Sequence, residues 1–146
     1  MKISDIRLYQ LSAPLAEPIG NALVFFPSRQ TLLVEVVADG ISGWGEAWVG
    51  PAAAAATIET QLARHLLGRD PTHIGALWHA MREGTEGDGV MPAIAAVDMA
   101  LHDLTARALG MPMSSLLGGA RRDKVRAYAS GPFFKPNGRR SSYHRL

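Results

Sequence analysis

Between Pro92 and Gly119 the chain reads PAIAAVDMALHDLTARALGMPMSSLLGG, and no other stretch constrains the fold as strongly. Ile94, Val97, Leu101, Leu104 and Ala108 recur at alternating steps of three and four residues, which is one apolar stripe of a helix. Gly110 and Pro112 stop it, because glycine accepts the left-handed turn at a helix end and proline cannot continue the hydrogen-bond ladder. A helix that hides a single stripe needs a second layer to bury it against.

The preceding sequence predicts that layer. Residues 2–12 carry β-branched and aromatic positions (Ile3, Ile6, Tyr9) without Gly or Pro and read as a first strand, which Ser12-Ala13-Pro14 ends. From Pro14 to Arg29 there are three prolines, one glycine and the apolar residues Ile19, Leu23, Phe25 and Phe26, a composition that predicts a long loop. Loops of that length inside a compact domain are functional or mobile. Thr31 to Ala38 is a second strand, Asp39-Gly40 a hairpin turn, and Ile41 to Trp48 the return strand. In the return strand Gly43 and Gly45 share a face with Ile41 and Ala47, opposite Ser42, Trp44, Glu46 and Trp48. Glycines there let a helix backbone approach closely.

Helices follow the sheet. Pro51 opens an alanine-rich helix with Ile58, Leu62 and Leu66 on one stripe, closed by Gly68. Asp70-Pro71 reads as the N-cap and first turn of a second helix carrying Ile74, Leu77, Trp78 and Met81. Glu83 to Gly89 is a Gly-rich acidic loop, and the third helix begins at Pro92. Ser114 to Leu117 makes a short turn, and Val125 to Ala129 reads as a new strand.

Composition removes several classes of function. Of the 146 residues 47% are hydrophobic and 19% charged, too apolar for a disordered segment. No apolar run approaches the ~18 residues of a membrane span, so no membrane partner is expected. Cysteine is absent, which excludes disulfides, Cys-based zinc sites and a thiol nucleophile and agrees with a cytoplasmic location. No targeting segment is visible at the start. The basic balance is local: residues 1–120 carry seven Lys+Arg against twelve Asp+Glu, a net of −5, while 121–146 carry eight against one, a net of +7. Without a recognition motif or a basic face, this tail predicts no nucleic-acid partner.

Few constellations point to chemistry. None of the five histidines, His65, His73, His79, His102 and His144, pairs with another at the four-residue spacing of a helical metal site. His65 reads as a core-edge side chain. Asp98 with His102 and Asp103 with Arg107 are four apart and read as surface ion pairs rather than acid–base couples. Gly87-Asp88-Gly89 and Gly118-Gly119 lack the strand-to-helix context of a phosphate loop, and Ser114 and Ser115 lack that of a nucleophile. Glu46 beside Trp44 predicts a structural hydrogen bond in preference to a base. No catalytic residue and no metal ligand is expected in this chain.

Two of these stretches carry a family resemblance. Gly43-Trp44-Gly45-Glu46-Ala47 and the segment from Pro92 through Leu116-Leu117-Gly118-Gly119 resemble the mandelate racemase and muconate lactonizing branch of the enolase superfamily, at the seam between its capping domain and its barrel. The resemblance covers roughly residues 1–130 and implies an α+β fold: a three-stranded antiparallel sheet followed by a helical bundle, plus a stray first barrel strand. It divides the chain into a capping domain over 1–120, a first barrel strand over 121–130 and an irregular segment over 131–146. It implies enzymes in which a divalent metal, usually magnesium, and a Lys or His base remove a proton α to a carboxylate, as in racemases, epimerases and acid-sugar dehydratases. Those groups sit on a (β/α)₈ barrel of ~250 residues that has no counterpart here.

What the resemblance carries over is therefore limited to two specificity loops, one matching Pro14 to Arg29 and one after Glu46. Ile19, Asn21, Phe25, Phe26 and Trp48 are expected to bind a carboxylate substrate only once a barrel is supplied. Residues from about Asn137 lose all periodicity and gain arginine, which predicts a truncated or out-of-frame ending. On this reading the chain is inactive alone, with self-association or the barrel domain covering its apolar face. The competing reading is a stand-alone protein-binding or oligomerisation module.

Overall fold

The computed structural model describes residues 1–21, 23–86, 90–128 and 135–136. Three strands, β1 (Ile3–Gly20), β2 (Phe25–Ala38) and β3 (Ile41–Ala47), form one sheet in the order β1-β2-β3. The sheet is antiparallel and the helices follow it, as expected. β2 and β3 run in register from Leu32 opposite Ala47 to Ala38 opposite Ile41, which leaves Asp39 and Gly40 as a two-residue turn. Both have positive φ, 50° and 79°, the geometry that matches strand twist in a tight hairpin.

The expected loop from Pro14 to Arg29 is corrected: β1 continues to Gly20 and β2 already starts at Phe25. Proline is tolerated where its missing N–H faces no partner. Pro14 and Pro18 lie on β1, an edge strand, and Pro27 lies on β2 beyond Leu32, where pairing with β3 has ended.

Pro51–Thr57 is helix α1, which continues through a π-helical turn at Ile58–Leu62 into α2 (Ala63–Leu66). The π turn keeps Ile58 and Leu62 buried, so the apolar stripe survives the change of pitch. Helix α3 spans Ile74–Glu83 and starts later than Asp70-Pro71 predicts. The Asp70 carboxylate instead accepts the backbone N–H and the hydroxyl of Thr72, at 3.0 and 2.8 Å, closing a separate turn. These bonds hold the Asp70 carboxyl below its ordinary range. Helix α4 (Val90–Ala108) starts two residues before Pro92, which occupies the first turn, where no intrahelical N–H is required. It ends in a glycine-dependent cap: Gly110, at φ 65°, donates to the Arg107 carbonyl and Met111 to that of Ala106. Helix α5 is the single turn Met113–Leu116.

The chain forms two compact units, one from Met1–Leu11 with Thr31–Ala120 and the other from Ser12–Gln30 with Arg121–Leu146. The core lies in the first. Leu32, Val34, Val36 and Ala38 alternate along β2 toward it and meet Leu62, Leu77, Ile94, Val97, Leu101 and Leu104 from the helices. The strand expected over Val125 to Ala129 is not formed over 125–128, and 129 lies outside the described residues. A barrel strand draws its ladder from parallel neighbours, and the described strands form only the antiparallel sheet. Most of the irregular segment over 131–146 and the Gly87-Asp88-Gly89 motif also lie outside the described residues.

Candidate functional site

The helix-facing side of the sheet is set by the two glycines of β3. A methyl at Gly43 would lie 2.2 Å from the Ala100 carbonyl oxygen, and one at Gly45 would lie 1.9 Å from that of Ala96, so α4 rests directly on the strand backbone. Asp103 fastens the same helix to the strand edge by accepting the Trp44 N–H at 2.9 Å while also accepting from Arg107 Nε at 2.9 Å. The Asp103–Arg107 pair is thus present, with a tether that spacing alone does not reveal. Asp98 and His102 also meet, at 3.5 Å, and His102 Nδ1 lies 2.9 Å from the Asp98 carbonyl oxygen.

The opposite side of the sheet carries a polar network that sequence reading missed. Glu35 is only 6% exposed. It accepts the Ser42 hydroxyl at 2.6 Å, the Tyr9 hydroxyl at 2.8 Å and Arg7 Nη1 at 3.5 Å. The Ser42 and Tyr9 bonds hold its carboxyl below the ordinary glutamate range, and the same bond to Glu35 raises the Tyr9 phenol. Tyr9 packs on Trp44 at 5.6 Å. The available signal was a lone carboxylate inside Leu32-Leu33-Val34-Glu35-Val36-Val37, a run in which it needs partners. Among the described residues no buried side-chain polar atom is left without a partner, so the network serves the sheet. Glu46 likewise accepts the Thr31 hydroxyl at 2.6 Å, a structural bond.

The two segments expected to face a substrate are displayed outside the core. The tip between β1 and β2 is clamped by Asn21, whose backbone N–H donates to the Val24 carbonyl and whose side-chain oxygen accepts the N–H groups of Leu23 and Val24, all within 2.9–3.0 Å. The clamp presents Leu23, 90% exposed, together with Val24, Phe25 and Phe26. Ile19 differs from the rest of its group: it is 6% exposed, buried where the tip residues that follow it are displayed. At its own position after β3, Trp48 is 71% exposed. Its backbone is held between Ala47, paired with Leu32, and Gly50, whose carbonyl accepts the Ala54 N–H at the start of α1.

No group of three or more His, Asp or Glu among the described residues could hold a metal. These residues do not fit magnesium, whose octahedral shell is built from carboxylate and water oxygens. His65 Nε2 is occupied in another way, accepting from Arg64 Nε at 3.1 Å. His73 and His79 lie outside any such group, and His144 lies outside the described residues. No helix among the described residues is long and apolar enough to cross a membrane.

An antiparallel sheet backed by helices on one side, with a hairpin tip and a strand-to-helix link displaying apolar side chains, defines a capping domain of the enolase type. The chain belongs to the mandelate racemase/muconate lactonizing enzyme family, whose N-terminal domain matches residues 4–118. It is 35% identical over 142 residues to D-galactarolactone cycloisomerase of Agrobacterium fabrum, covering 94% of this chain and 37% of the relative. It is 36% identical over 129 residues to chloromuconate cycloisomerase of Pseudomonas putida, covering 82% and 34%. Among solved structures, N-succinyl Arg/Lys racemase from Bacillus cereus superposes with a TM-score of 0.77 at 27% identity, over 84% of this chain and 35% of that one. The chain spans about a third of the length of these relatives.

Proposed function

We propose that this chain is the cap of a magnesium-dependent enzyme that removes a proton α to a carboxylate, and that it is inactive without the barrel. The observation that carries this reading is the family match over residues 4–118 in a chain spanning a third of its relatives' length. In such enzymes the metal offsets the charge that develops as the proton leaves. The cap's own part is to close over the substrate and exclude water, which strengthens the field around the reacting atoms. Ile19, which is buried, with Asn21, Phe25 and Phe26 shape one specificity loop and Trp48 the other. The exposed Leu109, Met111, Met113 and Leu117 near the end of the domain are where the rest of the enzyme, or a second copy, packs. A cytoplasmic setting belongs to the same reading.

Similarity is nearly even between a D-galactarolactone cycloisomerase at 35% and a chloromuconate cycloisomerase at 36%, so overall identity does not choose the carboxylate. The test is α-proton exchange with deuterated solvent in the presence of magnesium, run on the 146-residue chain and on a full-length protein bearing this domain. Exchange is expected in the second alone. Exchange catalysed by the 146 residues by themselves would sink the proposal.

A further inference from the structure

We infer that the substrate's distal end, the part facing the β1–β2 tip, is an apolar hydrocarbon or aryl group and not a polyhydroxylated sugar chain. The inference rests on the capping role proposed above and adds the substrate class. From Pro18 to Pro27 the sequence holds no ionisable residue, and its one polar side chain is Asn21. Its oxygen is committed to the turn, accepting both the Leu23 and Val24 N–H groups, and its amide N–H₂ group is the tip's one side-chain donor. The Asn21 N–H and the Val24 carbonyl are likewise paired with each other. Glu17, the nearest preceding carboxylate, is paired with Lys135.

Beside that single amide, what the tip offers a ligand is hydrocarbon: Leu23 and Val24 stand exposed, with Phe25 and Phe26 beside them at about two-fifths exposure. The second segment repeats this chemistry at its own place in the fold. Residues 47–57 contain no ionisable side chain, and Trp48 and Val49 are its exposed large groups. A site that recognises hydroxyls must supply unpaired donors and acceptors, and burying hydroxyls against side chains that lack them leaves each one short of a bond. An apolar group on the same surface gains from leaving water.

The test uses the full-length magnesium-loaded protein and two α-proton carboxylates of equal chain length, one with an aryl or branched alkyl end and one polyhydroxylated. Deuterium exchange should favour the apolar acid by about tenfold or more. Leu23→Ser, at a side chain that supports no packing, and Phe25→Asn should each shrink that preference. Binding is read separately from turnover: an inert α,α-dimethyl analogue with the aryl end should shift the Leu23 and Val24 methyl resonances, and a polyhydroxylated analogue should not. Preference for the polyhydroxylated acid, a ratio unmoved by both variants, or unshifted methyls overturns the inference while leaving the capping reading intact. Absence of exchange on every carboxylate overturns the proposed activity and the inference with it.

Discussion

Glu35 shows how one residue ties a sheet together. Its carboxylate is buried on the side away from the helices and bonded to Ser42, Tyr9 and Arg7, contacts that exist only in the folded chain. The folded carboxyl therefore titrates below its unfolded value. A carboxyl lowered in this way adds stability that is fully present above the unfolded value of about 4.3 and is lost as pH falls through the folded one. Glu35→Gln should flatten this acid-side fall, seen as a smaller difference in melting temperature between pH 6 and pH 3 than in the parent chain, where both values are chosen to bracket about 4.3. Equal slopes in the two proteins would remove the linkage. Ser42→Ala, which strips the first of the bonds holding the carboxylate, should cost about 1–2 kcal/mol in denaturant unfolding. The contrast with the helical pairs is instructive. Asp98–His102 and Asp103–Arg107 are legible because four residues is a fixed distance on a helix. The partners of Glu35 lie on the two strands flanking its own, so they emerge only once the register is known.

At the scale of elements, β3 and α4 meet backbone to backbone. The glycines at 43 and 45 could be read from sequence as an invitation to close approach, since a strand has no other reason to give up two side chains on its core face. The cost of denying that approach is large: a methyl at Gly45 would meet the Ala96 carbonyl, a backbone atom that cannot rotate away. Gly45→Ala should lose at least about 3 kcal/mol of unfolding free energy, the upper end for overpacking in a rigid site. Gly75 is the control, on α3 with nothing within 4 Å of where a methyl would sit. There Gly75→Ala should gain about 0.5–1 kcal/mol by helix propensity and a less flexible unfolded chain. If both substitutions move stability the same way, the close-packing account fails. Sequence misread the other end of the sheet, because Pro14, Pro18 and Pro27 look like loop punctuation until one knows that β1 is an edge strand and that β2 outruns β3. The π turn at Ile58–Leu62 left no such trace, since its apolar spacing suits an uninterrupted helix.

For the molecule as a whole, sheet, helices and family were legible because apolar periodicity and glycine placement are local signals. The proposed specificity residues rest on the family resemblance alone: Trp48 stands exposed as a loop residue would, while Ile19 is buried, a difference that side-chain identity does not encode. The distribution of the core leads to a further prediction. Its buried residues run from Ile3 to Leu104 and all belong to the unit made of Met1–Leu11 and Thr31–Ala120. Among the described residues none comes from the +7 segment 121–146. A chain ending at Ala120 keeps every described core residue, so its core-bearing unit should unfold in one cooperative transition, with a free energy within about 1 kcal/mol of that of the same unit in the longer chain, on the order of one surface ion pair. Its isoelectric point should cross to the acidic side, because the remaining 120 residues carry a net of −5. Urea unfolding followed by far-ultraviolet circular dichroism checks the first and isoelectric focusing the second. A broadened transition or a loss of several kcal/mol would mean that the residues after Ala120 take part in folding the cap, and the division between the core-bearing unit and the rest of the chain would have to be redrawn.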